Sequence, residues 1–238
     1  MGTKFIHTYV SVDCVVFGFD NDQLNVLLVQ FHPDESGDRN LKLPGSLIYD
    51  HEDVDDAAQR ILFELTGIRR MNLKQFRCFA SPDRACHPDD VKWMNSAYQP
   101  NIDRLITVAC LSLCKIDRKL TQVSGHRPAV WVRLDELPVM PFDHNRIVEA
   151  SLEEIRRWAE HEPAMAFDLL PQKFTVGQLH TLYEAVYSRK MDIRNFYKKL
   201  KNMPYAVPLN ERQTQVAHRA ATYYRFDRIR YNKWKLRG

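Results

Sequence analysis

The stretch from Leu43 to Ile68, LPGSLIYDHEDVDDAAQRILFELTGI, constrains the fold more tightly than any other part of the chain. A Pro-Gly turn at Pro44–Gly45 is followed by helical periodicity over Asp53–Thr66. Asp53 carries the short acceptor side chain of an N-cap, and Asp55 and Asp56 sit where the positive end of the helix dipole favours carboxylates. Gly67 supplies the stop. Val54, Ala58, Ile61 and Leu65 recur at spacings of three and four and so share one apolar face.

Strand-like runs surround this helix. Tyr9–Phe19 and Leu24–Phe31 are β-branched and apolar, and the polar Asp20-Asn21-Asp22 between them predicts a hairpin. Further strands are expected at Leu73–Ser81, Leu105–Lys115 and Ala129–Leu134. The segment Pro82–Asp103 is polar, dotted with aromatics and too long for an ordinary connection, which points to a functional or mobile insert. A second amphipathic helix is predicted from about Asp143 to Glu160, ended by His161-Glu162-Pro163.

Charge divides the chain. From Leu170 to Gly238 there are fifteen Lys and Arg against four Asp and Glu, a net of +11. The rest carries nineteen against twenty-six, a net of −7. An acidic body with a basic C-terminal region suggests that the latter meets a polyanion. The boundary is placed between Glu160 and Leu170, giving a first domain at 1–160, its linking helix at about 143–160, and a second at 165–238.

Within the basic region, Thr175 is a plausible N-cap for a helix whose apolar face is Val176, Leu179, Leu182, Tyr183, Val186 and Tyr187. A short turn at Ser188–Met191 leads to Asp192, which caps a second helix from Ile193 to about Met203. Two helices joined so closely read as a helix-turn-helix. On the second, Ile193, Phe196 and Leu200 face inward, leaving Arg194, Asn195, Lys198, Lys199 and Lys201 outward. Arginine and asparagine can read base edges, and lysines can hold phosphates. Strands at Ala206–Leu209 and Ala220–Phe226 would form a wing, with Arg212, His218 and Arg219 near its tip.

Leu43–Ile68 resembles the Nudix box, matching it at Glu52, Arg60, Leu62, Glu64, Gly67 and Ile68. Ser46 stands where the box has glycine, and Ile61 and Leu65 stand where it has glutamates. With PFDH at 141–144, the run FDLLPQKFTVGQLHTLYEAVYSRKMDIRNFYKKL and a wing ending in YRF, the chain closely resembles the Nudix-related transcriptional regulators. The resemblance implies an α+β chain: an N-terminal Nudix-like α/β/α sandwich with a mixed sheet, followed by a winged helix-turn-helix. It also implies control by a small molecule, since some members sense ADP-ribose and others sugars such as arabinose. In active Nudix enzymes carboxylates at the helix positions matching 61, 64 and 65 hold Mg²⁺ against a diphosphate; only Glu64 remains here. No metal, cofactor or catalytic residue is therefore expected, and Glu52 and Arg60 read as a structural ion pair. Arg84 and Arg104 lie in segments that resemble those flanking the ligand groove and are the expected effector contacts. His87, Trp93, Asn95, Tyr98 and Asn101 of the insert are secondary candidates for stacking or hydrogen bonding to a sugar.

Five cysteines without a C-x-x-C pair support neither a disulfide framework nor a zinc site, and no apolar run approaches a membrane span. The expected setting is cytoplasmic. The expected partners are double-stranded DNA, a sugar or nucleotide-sugar effector and a second copy of the chain. The rivals are a Nudix hydrolase acting on a nucleoside diphosphate derivative and an RNA-binding or scaffolding module.

Overall fold

The structure is a computed structural model that describes residues 9–20, 22–30, 40–98, 102, 104–116, 129–214 and 220–236. Those residues fall into two compact units. One draws on Met1–Phe17, Val26–Ser112 and Arg118–Ser151, the other on Gly18–Asn25, Leu113–Asp117 and Leu152–Gly238.

The first unit is organised by a seven-stranded sheet. Its strands are β1 (Tyr9–Phe19), β2 (Leu24–Gln30), β3 (Leu41–Lys42), β4 (Gly45–Leu47), β5 (Lys74–Phe79), β6 (Leu105–Lys115) and β7 (Ala129–Arg133). The order is β3-β2-β1-β6-β5, with β4 paired to β1 and β7 to β2. β1 is central and buried along most of its length, which is why it reads as a continuous apolar run instead of an alternating one. β5 lies at the end of the strand path and keeps Lys74 and Arg77 exposed, as an edge strand does.

The first helix, α1, runs Val54–Thr66. The Asp53 side chain accepts from the Asp56 amide, and Gly67 adopts the left-handed conformation (φ 76°) that a glycine enters without steric cost. Ala57, Ala58 and Ile61 pack in one core cluster with Val12, Cys14 and Cys110, and Val54 and Leu65 pack against it. The apolar stripe expected on this helix is thus a core contact.

The insert holds a helix that periodicity did not suggest. α2 (Pro88–Ala97) has His87 as N-cap and proline in its first turn. Its sequence, PDDVKWMNSA, buries only Asp90 and Met94, too few apolar positions to announce a face. α3 follows at His144–His161.

In the second unit, α4 (Val176–Tyr187) begins with a reciprocal capping box between Thr175 and Gln178. α5 (Ile193–Lys201) is capped by Asp192 and ends two residues earlier than expected. Strands β8 (Phe174–Thr175), β9 (Ala206–Arg212) and β10 (Thr222–Phe226) form a separate sheet in the order β8-β10-β9. The β9–β10 hairpin is the expected wing, although β9 runs three residues longer and β10 starts two later than anticipated. Arg219 and His218, expected near its tip, lie outside the described residues, as does Asn101 of the insert. The basic tail forms α6 (Arg228–Lys235), capped by Asp227. Its Tyr231 and Trp234 both meet Tyr205 edge-on and Phe226 stacks on Phe167; Tyr231 is buried and joins the core, whereas Trp234 stays exposed.

Candidate functional site

At the Nudix-box helix, Arg60 pairs with both oxygens of Glu52, through Nε to Oε1 and through Nη2 to Oε2 at 2.7 Å. Nη2 also donates to Leu47 O at 2.9 Å, and the guanidinium lies 3.8 Å from the Tyr49 ring centroid. The Arg60 hydrogen bonds hold the Glu52 carboxyl down to about 2. Glu64 is half exposed and receives Arg60 Nη1 at 3.2 Å. Ile61 is wholly buried, Leu65 packs on the same cluster, and Ser46 forms part of β4 opposite Val12. A lone carboxylate already paired with an arginine, beside two aliphatic side chains, does not fit a hard divalent cation that requires several oxygens. Among the described residues no group of three or more His, Cys, Asp or Glu is placed to hold a metal ion.

The first unit has another polar centre, which the sequence reading reached only through Arg84. Arg84 is buried, its side chain 2% exposed. It donates from Nε to Asp143 Oδ1 at 3.1 Å, and Nη2 lies 2.9 Å from the same oxygen and 3.4 Å from Asp13 Oδ2. His144 Nε2 is 3.6 Å from Asp13 Oδ1, while its Nδ1 accepts from the Leu43 amide at 3.1 Å. Lys42, also buried, donates from Nζ to Gly45 O at 2.9 Å. Burial alone would raise the Asp13 carboxyl; the cationic Arg84 and Lys42 and the Thr107 hydroxyl outweigh it and hold it low. Burial pushes His144 down to about 4 against the pull of Asp13, so the imidazole is neutral near pH 7.

Asp13, Lys42, Arg84 and His144 stand along a cleft whose walls also include Ser46, Trp93, Tyr98, Leu105 and Phe142. Trp93 meets Tyr98 and Phe142 edge-on at 5.7 and 6.0 Å. Phe142 holds a left-handed backbone (φ 56°), unusual for a bulky residue, with its amide fixed by Asp90 Oδ2 at 2.8 Å. Arg84, Trp93 and Tyr98 therefore meet here, as the sequence allowed. Arg104 is exposed and donates to Ala80 O at 3.1 Å; its neighbour Leu105 is the one that lines the cleft. His87 serves as the α2 cap, and Asn95 is exposed on that helix. Asp13, Lys42, Asp143 and His144 were missed as site residues. The signal was present: a lone Asp in YVSVDCVVF, a lone Lys in LKLPG, and PFDH at a helix start.

In the second unit α5 exposes Arg194, Asn195, Lys198, Lys199 and Lys201, whereas Phe196 and Leu200 are buried; Ile193, expected to face inward, is exposed at the first turn of the helix. Lys199 differs from its basic neighbours. Its ammonium lies 4.3 Å from the Tyr183 ring and 5.7 Å from the Tyr187 ring, a cation–π placement that turns it back onto α4. The turn between the helices is pinned by Glu184, which accepts from the Met191 amide at 2.7 Å. Arg156 of α3 reinforces it, donating to Val186 O at 2.9 Å and to Ser188 Oγ at 3.1 Å. Among the described residues no helix is long and apolar enough to cross a membrane.

Comparison with known proteins agrees with this layout. The NUDIX domain family matches residues 7–154, and the NrtR DNA-binding winged helix domain matches residues 166–226. The chain is similar to the ADPR responsive transcriptional repressor NtrR of Acinetobacter baylyi, with 24% identity over 224 residues, covering 91% of this chain and 81% of that protein. It is similar in fold to Shewanella oneidensis NrtR, solved in complex with a 27mer DNA, at 20% identity and a TM-score of 0.67 over 92% of this chain and 93% of that one. A MutT/nudix family protein from Enterococcus faecalis matches at 20% identity and a TM-score of 0.63, over 94% and 90% of the two chains. A NUDIX domain over more than half its length, followed by the winged helix, makes this chain a member of the Nudix-related transcriptional regulators.

Proposed function

We propose that the protein is an effector-responsive, DNA-binding transcription regulator of sugar or NAD/nucleotide-sugar metabolism, working in the cytoplasm. In this reading residues 1–160 sense a small molecule without hydrolysing it, and residues 165–238 bind double-stranded DNA as part of a homodimer. The observation that carries it is α5, which presents Arg194, Asn195, Lys198 and Lys201 on one exposed side of a capped helix preceding a β-hairpin. That is the arrangement in which a winged helix inserts into the major groove. The A. baylyi relative, an ADPR responsive repressor, and the DNA complex of the S. oneidensis protein support the reading by analogy. A twofold dimer would present two such helices to a palindrome. Arg84 is the effector contact favoured by the buried cleft, with Arg104 a peripheral one.

Selection of bound duplexes from a random pool tests this. An enriched palindrome is expected, and its affinity should change with the effector that raises the melting temperature, because coupling between two ligands is reciprocal. Recovery of no enriched motif would remove the DNA-reader assignment.

A further inference from the structure

We propose that Ile193 and Tyr197 of α5 read thymine in the major groove through its 5-methyl group, so that each half-site carries thymine beside the base Arg194 contacts. This rests on α5 as the DNA-reading helix and deepens that reading from charge to base preference.

The argument begins with exposed apolar surface. Ile193 is 43% exposed and Tyr197 50% exposed, although both are large and mostly apolar. One such residue on a surface is ordinary. These two stand four apart on one helix and so form a continuous strip, while Phe196 and Leu200 turn the other way into the core. The other rings of α4 and α5 are engaged with one another. Tyr183 meets Tyr187 at 6.1 Å and Phe196 at 5.4 Å, and His180 meets Phe196 at 5.0 Å. Tyr197 makes no ring contact among the described residues.

The neighbours of the strip identify its partner. Arg194, Lys198 and Lys201 are spaced by four and three, so a row of exposed cations runs alongside. Tyr197 stands three residues from Arg194 and four from Lys201 and adjoins both. A partner must therefore offer anions and apolar groups within one helix width. Duplex DNA does so: its phosphates meet the cations, and the thymine methyl is an apolar projection in the major groove. Duplex RNA does not, because its major groove is too deep and narrow for side chains to read and uracil lacks the methyl. Ile193 directly follows the Asp192 cap, and the N-terminal residues of a recognition helix are the ones that reach base edges.

The test uses the full chain and the duplex it selects from a random pool. Each thymine in turn is replaced by deoxyuridine, which removes the methyl and keeps the base pair. Wild-type binding should weaken about fourfold for at least one replacement in each half-site, the effect of exposing one methyl-sized group. Tyr197→Ala and Ile193→Ala should each weaken the thymine duplex and abolish the thymine–uracil difference at the position that residue reads. Lys198→Ala should weaken both duplexes equally. Both apolar side chains are about half exposed, so their loss spares the core, and the deoxyuridine measurement on wild type needs no variant. If no replacement weakens the wild type, or the selected motif lacks thymine, thymine reading is overturned while the DNA-reader assignment stands. If every methyl effect survives in an alanine variant, the role of that residue is overturned. If no motif is enriched, both readings fall together.

Discussion

Gly45 sits so close to Asp13 that a Cβ built on it would stand 1.9 Å from Asp13 Oδ1. The two residues are register partners across β1 and β4, and the buried carboxylate occupies the space a side chain would need. Gly45→Ala should therefore displace Asp13 from Arg84 and His144. A loss of about 1–3 kcal/mol in stability is expected, the usual range for overpacking a core. Urea denaturation measures it, and a loss below about 0.5 kcal/mol would show that Asp13 moves freely.

Nudix hydrolysis should be absent. Incubation with ADP-ribose, NADH or dinucleoside polyphosphates plus Mg²⁺ or Mn²⁺ should release no product, because positions 61 and 65 supply no oxygen. Restoring a carboxylate should not restore the reaction. Ile61 is wholly buried among Val12, Cys14, Ala57, Ala58 and Cys110, so Ile61→Glu would place a charge in an apolar cluster. The expected result is destabilisation of about 3 kcal/mol or more. Chelator-sensitive turnover abolished by Glu64→Gln would refute the prediction.

Stability should fall with acid in a window assigned to His144. Its folded value of about 4 lies below the ordinary 6.5. Between these values the unfolded chain binds a proton that the folded chain does not, so stability declines as pH drops from about 6.5 toward 4. Glu52, held down to about 2 by Arg60, adds a loss of the same sign at lower pH, as the medium passes below its ordinary value of 4.5. His144→Asn should flatten the upper part of the stability–pH curve and leave the lower part unchanged. An unaltered slope between pH 6.5 and 5 would contradict this.

On α5 the substitutions should separate into three behaviours. Arg194→Ala or Asn195→Ala should cost about 1–3 kcal/mol and relax preference at particular bases. Lys198→Ala or Lys201→Ala should weaken all sequences alike and reduce the salt slope by about one. Lys199→Ala should instead lower stability by about 0.5–1 kcal/mol with little change in salt slope, because its ammonium rests on Tyr183. Affinity measured across salt concentrations distinguishes them. A salt slope for Lys199→Ala equal to that of Lys198→Ala would return Lys199 to the phosphate-binding group.

The sequence by itself determined the elements and their stops. Asp53 and Gly67 bound α1, Thr175 and Gln178 start α4, and Asp192 starts α5, because caps act on backbone groups within a few residues. It also determined the loss of the metal face, since residues at i, i+3 and i+4 on a helix share a side whatever surrounds them. Local patterns did not reveal α2 or α6, whose faces bury only one or two residues each.

Only the tertiary structure decided the candidate effector site. Asp13 and Arg84 are separated by 71 residues and Arg84 and Asp143 by 59, and each is an ordinary polar residue in its own neighbourhood. Their meaning comes from burial together, where each charge must find its opposite or remain costly. The same holds for Lys199, one of several lysines on an amphipathic helix until Tyr183 is brought beneath it. Hydrogen bonds to caps act over a single turn and can be read along the chain. Pairing of buried charges depends on which strands and helices are packed together, and periodicity carries no record of that.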